Sequence, residues 1–135
     1  MRTIFFAHDQ QESPEARKHF LELSGYVVRL LNNHAQLMAA LKGGPVDMVL
    51  IDALLEGKNG FAAAEEISQR FPERAYPVVL CSHIYRLRAF REEALRCGAQ
   101  DYLLLPMPPD EFLRRVNQAI AYFVRPESTS GSVPA

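Results

Sequence analysis

The chain has 135 residues, enough for one domain around one core. Hydrophobic residues make up 48% and the formal net charge is −1. The first figure excludes a disordered chain. The second argues against an electrostatic grip on nucleic acid, which needs a surplus of Lys and Arg. No apolar run reaches the ~18 residues of a membrane span, and Met1 to Ala7 is too short for a signal-peptide core, so the expected location is the cytoplasm. Cys81 and Cys97 are not spaced as a C-x-x-C pair and are expected to be reduced thiols.

Thr3 to Ala7 is a short run of strand formers. Ser13-Pro14 then reads as an N-cap followed by proline at the first helical position, with Ala16, Phe20 and Leu23 at helical spacing and a stop at Ser24-Gly25. Tyr26 to Leu30 is a second strand. Asn33 caps a helix that buries Leu37, Ala40 and Leu41, broken by Gly43-Gly44-Pro45. Val46 to Ile51, apolar except for Asp47, has the pattern of a strand covered on both faces, and Asp52 follows it. Phe61, Ala64, Ile67 and Phe71 form a helical stripe. Pro77 to Cys81 is a fourth strand, and Leu87, Phe90 and Ala94 mark a helix ending near Gly98. Asp101 to Leu105 is a fifth strand ending at Pro106. Asp110 caps a last helix with Phe112, Val116, Ile120 and Phe123 on its core face.

Five β-α repeats predict an α/β fold with a doubly wound, five-stranded parallel sheet, flavodoxin-like, in strand order 2-1-3-4-5. Residues 1–125 are expected to form the domain and 126–135 a flexible C-terminal tail. Ligands of such sheets collect at the carboxyl ends of the strands. Those ends present His8 and Asp9, then Asp52, then Ser82 and His83, then Leu105 and Pro106. Two carboxylates from adjacent strands make a hard oxygen site suited to Mg²⁺. Beside such a cation a carboxylate can act as a nucleophile toward phosphorus, because the metal screens its repulsion from the phosphoryl oxygens.

Asp47-Met-Val-Leu-Ile-Asp52-Ala-Leu-Leu-Glu-Gly-Lys-Asn-Gly60 resembles the phosphoacceptor segment of response-regulator receiver domains. Gly98-Ala-Gln-Asp-Tyr-Leu-Leu-Leu-Pro106 resembles the family's final-strand segment, and Pro77-Val-Val-Leu-Cys-Ser82 its hydroxyl-bearing strand. The likeness runs from residue 3 to about 124. It implies that Asp52 is phosphorylated by a histidine kinase or phosphotransfer protein and that Ser82 hydrogen-bonds the phosphoryl group. It also implies that Tyr102 turns inward or outward with activation and that Pro106 follows a cis peptide. Mg²⁺ would be held by Asp9, Asp52 and the backbone carbonyl of Leu54.

Three positions depart from that family's pattern: His8 replaces the first strand-1 acid, Leu105 replaces the lysine before the proline, and His83 stands where the family has a small residue. Leu105 cannot supply the charge-assisted hydrogen bond of a lysine, worth about 1.5–3 kcal/mol. His83 crowds the entrance. Leu54 and Ile84 are apolar where the family often has polar residues, which would exclude water and slow hydrolysis. For His8 two readings stand: a protonated ring pairing with Asp9 or Asp52, sensitive to pH near neutrality, or a neutral ring hydrogen-bonded to backbone.

His8-Asp9 also recurs in metal phosphohydrolases, but His19, His34 and His83 are not spaced as further ligands. No Gly-rich phosphate loop follows the first strand. Arg86, Arg88, Arg91 and Arg96 read either as a solvated face or as part of a partner surface on the fourth helix, fifth strand and fifth helix. Three functions are therefore carried forward. The first is a phosphorylation-controlled switch rather than a true enzyme, whose output is docking to a downstream protein. The second is a pseudo-receiver acting as a phosphorylation-independent interaction module. The third is a small flavodoxin-like enzyme, which rests on fold analogy alone.

Overall fold

The computed structural model describes residues 1–8 and 13–124. Asp9 and the segment 125–135 lie outside the described residues. Five strands, β1 (Thr3–Ala7), β2 (Val27–Leu31), β3 (Met48–Asp52), β4 (Val78–Ser82) and β5 (Asp101–Leu104), alternate with five helices. The helices are α1 (Glu15–Leu23), α2 (His34–Gly43), α3 (Gly60–Arg70), α4 (Arg88–Arg96) and α5 (Pro109–Ala121). The strands form one parallel sheet in the order β2-β1-β3-β4-β5, as expected from the β-α alternation.

Two cores explain the strand compositions. One face packs Ile4, Phe6, Met48, Leu50, Val79, Cys81 and Leu103 against Leu21 of α1 and Phe112 and Val116 of α5. The other packs Phe5, Val49, Ile51, Val78 and Leu80 against Leu37 of α2, Ile67 of α3 and Ala94 of α4. Every residue of β3 and β4 is buried, so alternation between polar and apolar residues vanishes there and a continuous apolar run results.

The strands β2, β3 and β4 sit one or two residues later than the apolar runs alone suggest, which carries Asp52 and Ser82 into the ladder itself. Asp47, the polar exception before β3, accepts the Thr3 amide through Oδ2 at 2.7 Å and joins the starts of β1 and β3. Asn33 caps α2 by accepting the Gln36 amide at 2.8 Å, as read from the sequence. Two other caps differ. Pro14 itself occupies the N-cap of α1, with Ser13 reaching only the Glu15 amide at 3.5 Å. Pro108 occupies the N-cap of α5, leaving Asp110 in the first turn, where it complements the helix dipole without capping. Leu87, read as the first residue of the helical stripe, is the N-cap of α4 and is 70% exposed.

At the opposite end of the sheet from Asp52, Arg74 is a buried cation serving as a structural clamp. It donates to the Gly98 carbonyl at 3.0 Å, beside the turn into β5. Burial pulls its pKa down. Removing the side chain leaves that carbonyl with only the weaker bond from Gln100 Nε2 at 3.2 Å and opens a void, so Arg74→Ala is expected to lower stability by about 2 kcal/mol, read as a shift of the urea midpoint at constant slope.

Candidate functional site

Asp52 ends β3 on the face shared with α1 and α5, since it follows Leu50 by two residues along the strand. It is 4% exposed. Its Oδ1 accepts the Leu54 amide at 3.0 Å, which fixes the carboxylate against the turn into the next loop. That loop is held close by α3, whose first residue, Gly60, donates its amide to the Ala53 carbonyl at 2.9 Å.

The pairing Ala7↔Ile51, continued by one residue, sets His8 beside Asp52. His8 is buried, with its amide on the Leu31 carbonyl at 3.0 Å and its ring edge toward Phe6. On the other side Asp52 pairs with Cys81, and Ser82 follows, 1% exposed. Ser82 Oγ accepts two backbone amides, from Ile84 at 3.0 Å and from Tyr85 at 2.9 Å. Both hydroxyl lone pairs are thereby occupied, and the hydroxyl also lies in hydrogen-bond contact with Tyr102.

Tyr102 points inward and is 2% exposed. Its hydroxyl donates to the Tyr85 carbonyl at 2.6 Å, and its ring packs on Phe61. Burial pushes the phenol pKa up, against a smaller lowering from the Ser82 hydroxyl. Ser82, Tyr85 and Tyr102 thus form one hydrogen-bonded unit that joins the end of β4 to the middle of β5. Tyr85 was not singled out in the sequence; an aromatic three residues beyond Ser82 was its only signal there.

Leu105 is buried, and the bond from it to Pro106 is cis, as the resemblance implied. Its carbonyl accepts Arg86 Nη1 at 2.6 Å. His83 is half-buried, with Nε2 3.4 Å from Arg17 Nη1. Of the two apolar substitutions, Ile84 is exposed and Leu54 is half-buried. Asp9, the expected second carboxylate, lies outside the described residues, and among the described residues no three His, Cys, Asp or Glu side chains group as metal ligands.

The four arginines singled out near α4 are each engaged separately. Arg91 bonds Asp101 at 2.9 Å, Arg96 bonds Glu93 at 2.6 Å, Arg88 lies 3.5 Å from Glu92, and Arg86 holds the Leu105 carbonyl. Cys81 and Cys97 are free and buried. Burial and the nearby Glu93 push the Cys97 thiol up to about 11, so it is an unreactive core residue at neutral pH.

The β3–α3 loop is braced from outside by Glu66 of α3. Its carboxylate accepts Lys58 at 2.6 Å, Arg70 at 3.0 Å and His34 of α2 at 2.9 Å, while the His34 amide donates to the Glu56 carbonyl at 2.8 Å. Bonds from Lys58 and Arg70 lower the Glu66 pKa from 4.5 to about 2. A carboxylate depressed on folding contributes stability that is full above its unfolded value and is lost as pH falls through its folded one. The brace is therefore expected to hold above pH 4.5 and to fail progressively toward pH 2. Melting temperatures across that range should fall less steeply for Glu66→Gln than for the wild type.

The model of the response regulator receiver domain matches residues 4–117. The transcriptional regulatory protein GltR of Pseudomonas aeruginosa is 30% identical over 120 residues, covering 85% of this chain but 47% of the regulator. The chain thus spans about half the length of that relative. Protein PilH of the same organism is 28% identical over 121 residues, covering 90% of this chain and 99% of PilH. Among solved structures, a response regulator from Chloroflexus aurantiacus superposes with a TM-score of 0.81 at 22% identity, covering 89% of this chain and 98% of the other. The receiver domain of a Pseudomonas aeruginosa sensor histidine kinase, solved with a magnesium ion coordinated in its active site cleft, has a TM-score of 0.78 at 25% identity. It covers 89% of this chain and 98% of the other.

Proposed function

Because this chain belongs to the response regulator receiver domain family of two-component signalling, we propose that Asp52 is its phosphoacceptor. Domains of this family are signalling modules that work between histidine kinases and downstream effectors. The observation that carries the assignment is the convergence at Asp52. A nearly buried carboxylate, oriented by the Leu54 amide, sits one strand away from a buried Ser82 hydroxyl that two backbone amides hold in place.

The donor types at Asp52 fit Mg²⁺: a carboxylate oxygen and the Leu54 backbone carbonyl are hard oxygens. Asp9, Asp52 and the Leu54 carbonyl would hold the ion, and a bound ion would screen the charge of incoming phosphoryl oxygens. With His8 in place of a second strand-1 acid, fewer negative charges favour the ion. Asp52 attacks phosphorus, and Ser82 donates its hydroxyl proton in a hydrogen bond to a phosphoryl oxygen. That new bond pulls on the loop through the Ile84 and Tyr85 amides, and Tyr85 carries the displacement to Tyr102. The population of the surface formed by α4, β5 and α5 then shifts, and a downstream protein reads it. No described helix is long and apolar enough to cross a membrane, and we place the domain in the cytoplasm with its kinase.

Incubation with Mg²⁺ and acetyl phosphate, followed by intact mass, tests the reading. One phosphoryl adduct is expected on the wild type and none on Asp52→Asn. A second reading, the phosphorylation-independent module, is favoured by one observation: Leu105, 2% exposed, puts an apolar side chain beside the site. Absence of adduct, with partner binding unchanged in Asp52→Asn, would establish that module instead.

A further inference from the structure

An aspartyl phosphate at position 52 carries about two negative charges where the carboxylate carried one, spread over oxygens at a water-poor strand end, and such a group is stabilised chiefly by a cation with several donors. The cations around the strand ends differ in what already occupies them. Lys58 is bound to Glu66, and Arg86 is bound to the Leu105 carbonyl. Arg17 of α1 is different. Its guanidinium lies over the Phe6 ring, 5.4 Å from the centroid, and its Nη1 is 3.4 Å from His83 Nε2. Its Nε is buried without a hydrogen-bond partner, and among the described residues no carboxylate lies within ion-pair distance of it.

The positions of Phe6 and His83 place that guanidinium relative to Asp52. Phe6 pairs with Leu50, two residues before Asp52 on the same face of the sheet. His83 is two residues after Cys81, the partner of Asp52 across the next strand. Arg17 therefore bridges two residues that flank Asp52 on the α1–α5 face. Beside it a cavity of about 210 Å³, lined by Arg17, His83, Leu105 and Pro106 among others, leaves room for the side chain to move. With its Nε buried and unpaired, the Arg17 guanidinium rests on the Phe6 ring and one long contact to His83, an arrangement that oxygens of an anion would complete.

We infer that Arg17 is the phosphoryl-binding cation of this domain, exchanging its His83 contact for oxygens of the phosphoryl group on Asp52. The inference rests on the reading of Asp52 as phosphoacceptor. With acetyl phosphate as donor, an Asp52 oxygen forms a bond to phosphorus, the phosphorus–oxygen bond to the acetyl group breaks, and acetate leaves with the electron pair. No proton is gained or lost. Arg17 neutralises charge on the equatorial oxygens during this transfer and in the product.

The test follows the rate of phosphoryl incorporation by intact mass at fixed Mg²⁺ and acetyl phosphate, with melting temperature measured alongside. Arg17→Met is expected to react about tenfold or more slowly than wild type. Arg17→Lys, which keeps the charge, and the double variant Arg17→Met with Leu105→Lys, which returns a cation from the residue after β5, are each expected to recover most of that loss. Wild-type rates in Arg17→Met overturn the inference while leaving Asp52 in place. So does a slow Arg17→Met that neither cation rescues and that melts well below the wild type. A wild type that takes no phosphoryl group removes the Asp52 reading and this inference together.

Discussion

Gly60→Ala is expected to destabilise the domain by about 3 kcal/mol and to slow whatever chemistry Asp52 performs. A Cβ built on Gly60 falls 2.6 Å from the Asp52 carbonyl oxygen and 2.9 Å from the Ala53 Cα. All the atoms it meets are backbone, so no side chain can rotate away. Either α3 must withdraw, breaking the bond from the Gly60 amide to the Ala53 carbonyl, or the end of β3 must shift and carry the Asp52 carboxylate with it. Gly43→Ala is the control. A Cβ there meets nothing within 4 Å, so the change should be neutral or stabilising by up to about 1 kcal/mol through the unfolded chain's lost freedom. Urea unfolding of both variants separates the two effects; equal midpoints would refute the close-approach argument.

A loss of similar size is expected at Asp101. Its carboxylate accepts Arg115 Nε and Nη2 at 2.7 Å each, Arg91 Nη1 at 2.9 Å and the Tyr102 amide at 2.7 Å. One side chain therefore ties α4 and α5 to the start of β5. Burial alone would raise its pKa, but the bonds from Arg115 and Arg91 outweigh burial and hold it below 3.8. Asp101→Ala leaves Arg115 half-buried without its main partner and should cost about 2–3 kcal/mol, less than a fully buried pair because Arg91 is largely in water. The pair's contribution is present above the unfolded carboxylate value of 3.8 and is lost as pH falls through the lower folded value. Chemical denaturation at neutral pH measures the first figure. The difference between wild type and variant should shrink in acid; a constant difference would mean that packing, not charge, holds the three elements.

Asp101 also shows where sequence reading runs out. Its position at the head of a strand was legible, as were the whole β-α order, the parallel sheet and the strand order. Those depend on apolar runs and turn residues, which are local signals. Asn33 was legible as a cap for the same reason. Ser13 and Asp110 were misread because prolines beside them took the cap position, and a proline there competes with a side-chain cap that pattern alone cannot arbitrate. Leu87 sat at helical spacing but before the helix began, so its side chain never reached the core.

At the site, Asp52, Ser82, Tyr102 and the cis bond at Pro106 could be named from segments that resemble a known family, and the strand register brings Asp52 and Ser82 to one end of the sheet, with Tyr102 two residues below Ser82's level on β5. Gly60, Tyr85, Arg17 and Arg86 were not named as site residues. Their parts depend on contacts between elements far apart in the chain: α1 with the end of β4, and the β4–α4 loop with β5. No spacing rule within one segment carries such information. The missing lysine at Leu105 was visible in the sequence, but the arginine that approaches from α1 was not.

The central claim concerns one oxygen atom, and reductive trapping reports on it directly. Borohydride converts an aspartyl phosphate to homoserine, leaving free carboxylates untouched. After treatment with Mg²⁺ and acetyl phosphate, then borohydride, peptide sequencing by mass spectrometry should read homoserine at position 52 and aspartate at Asp47, Asp101 and Asp110. Aspartate retained at position 52, or homoserine at another position in its place, would contradict the account.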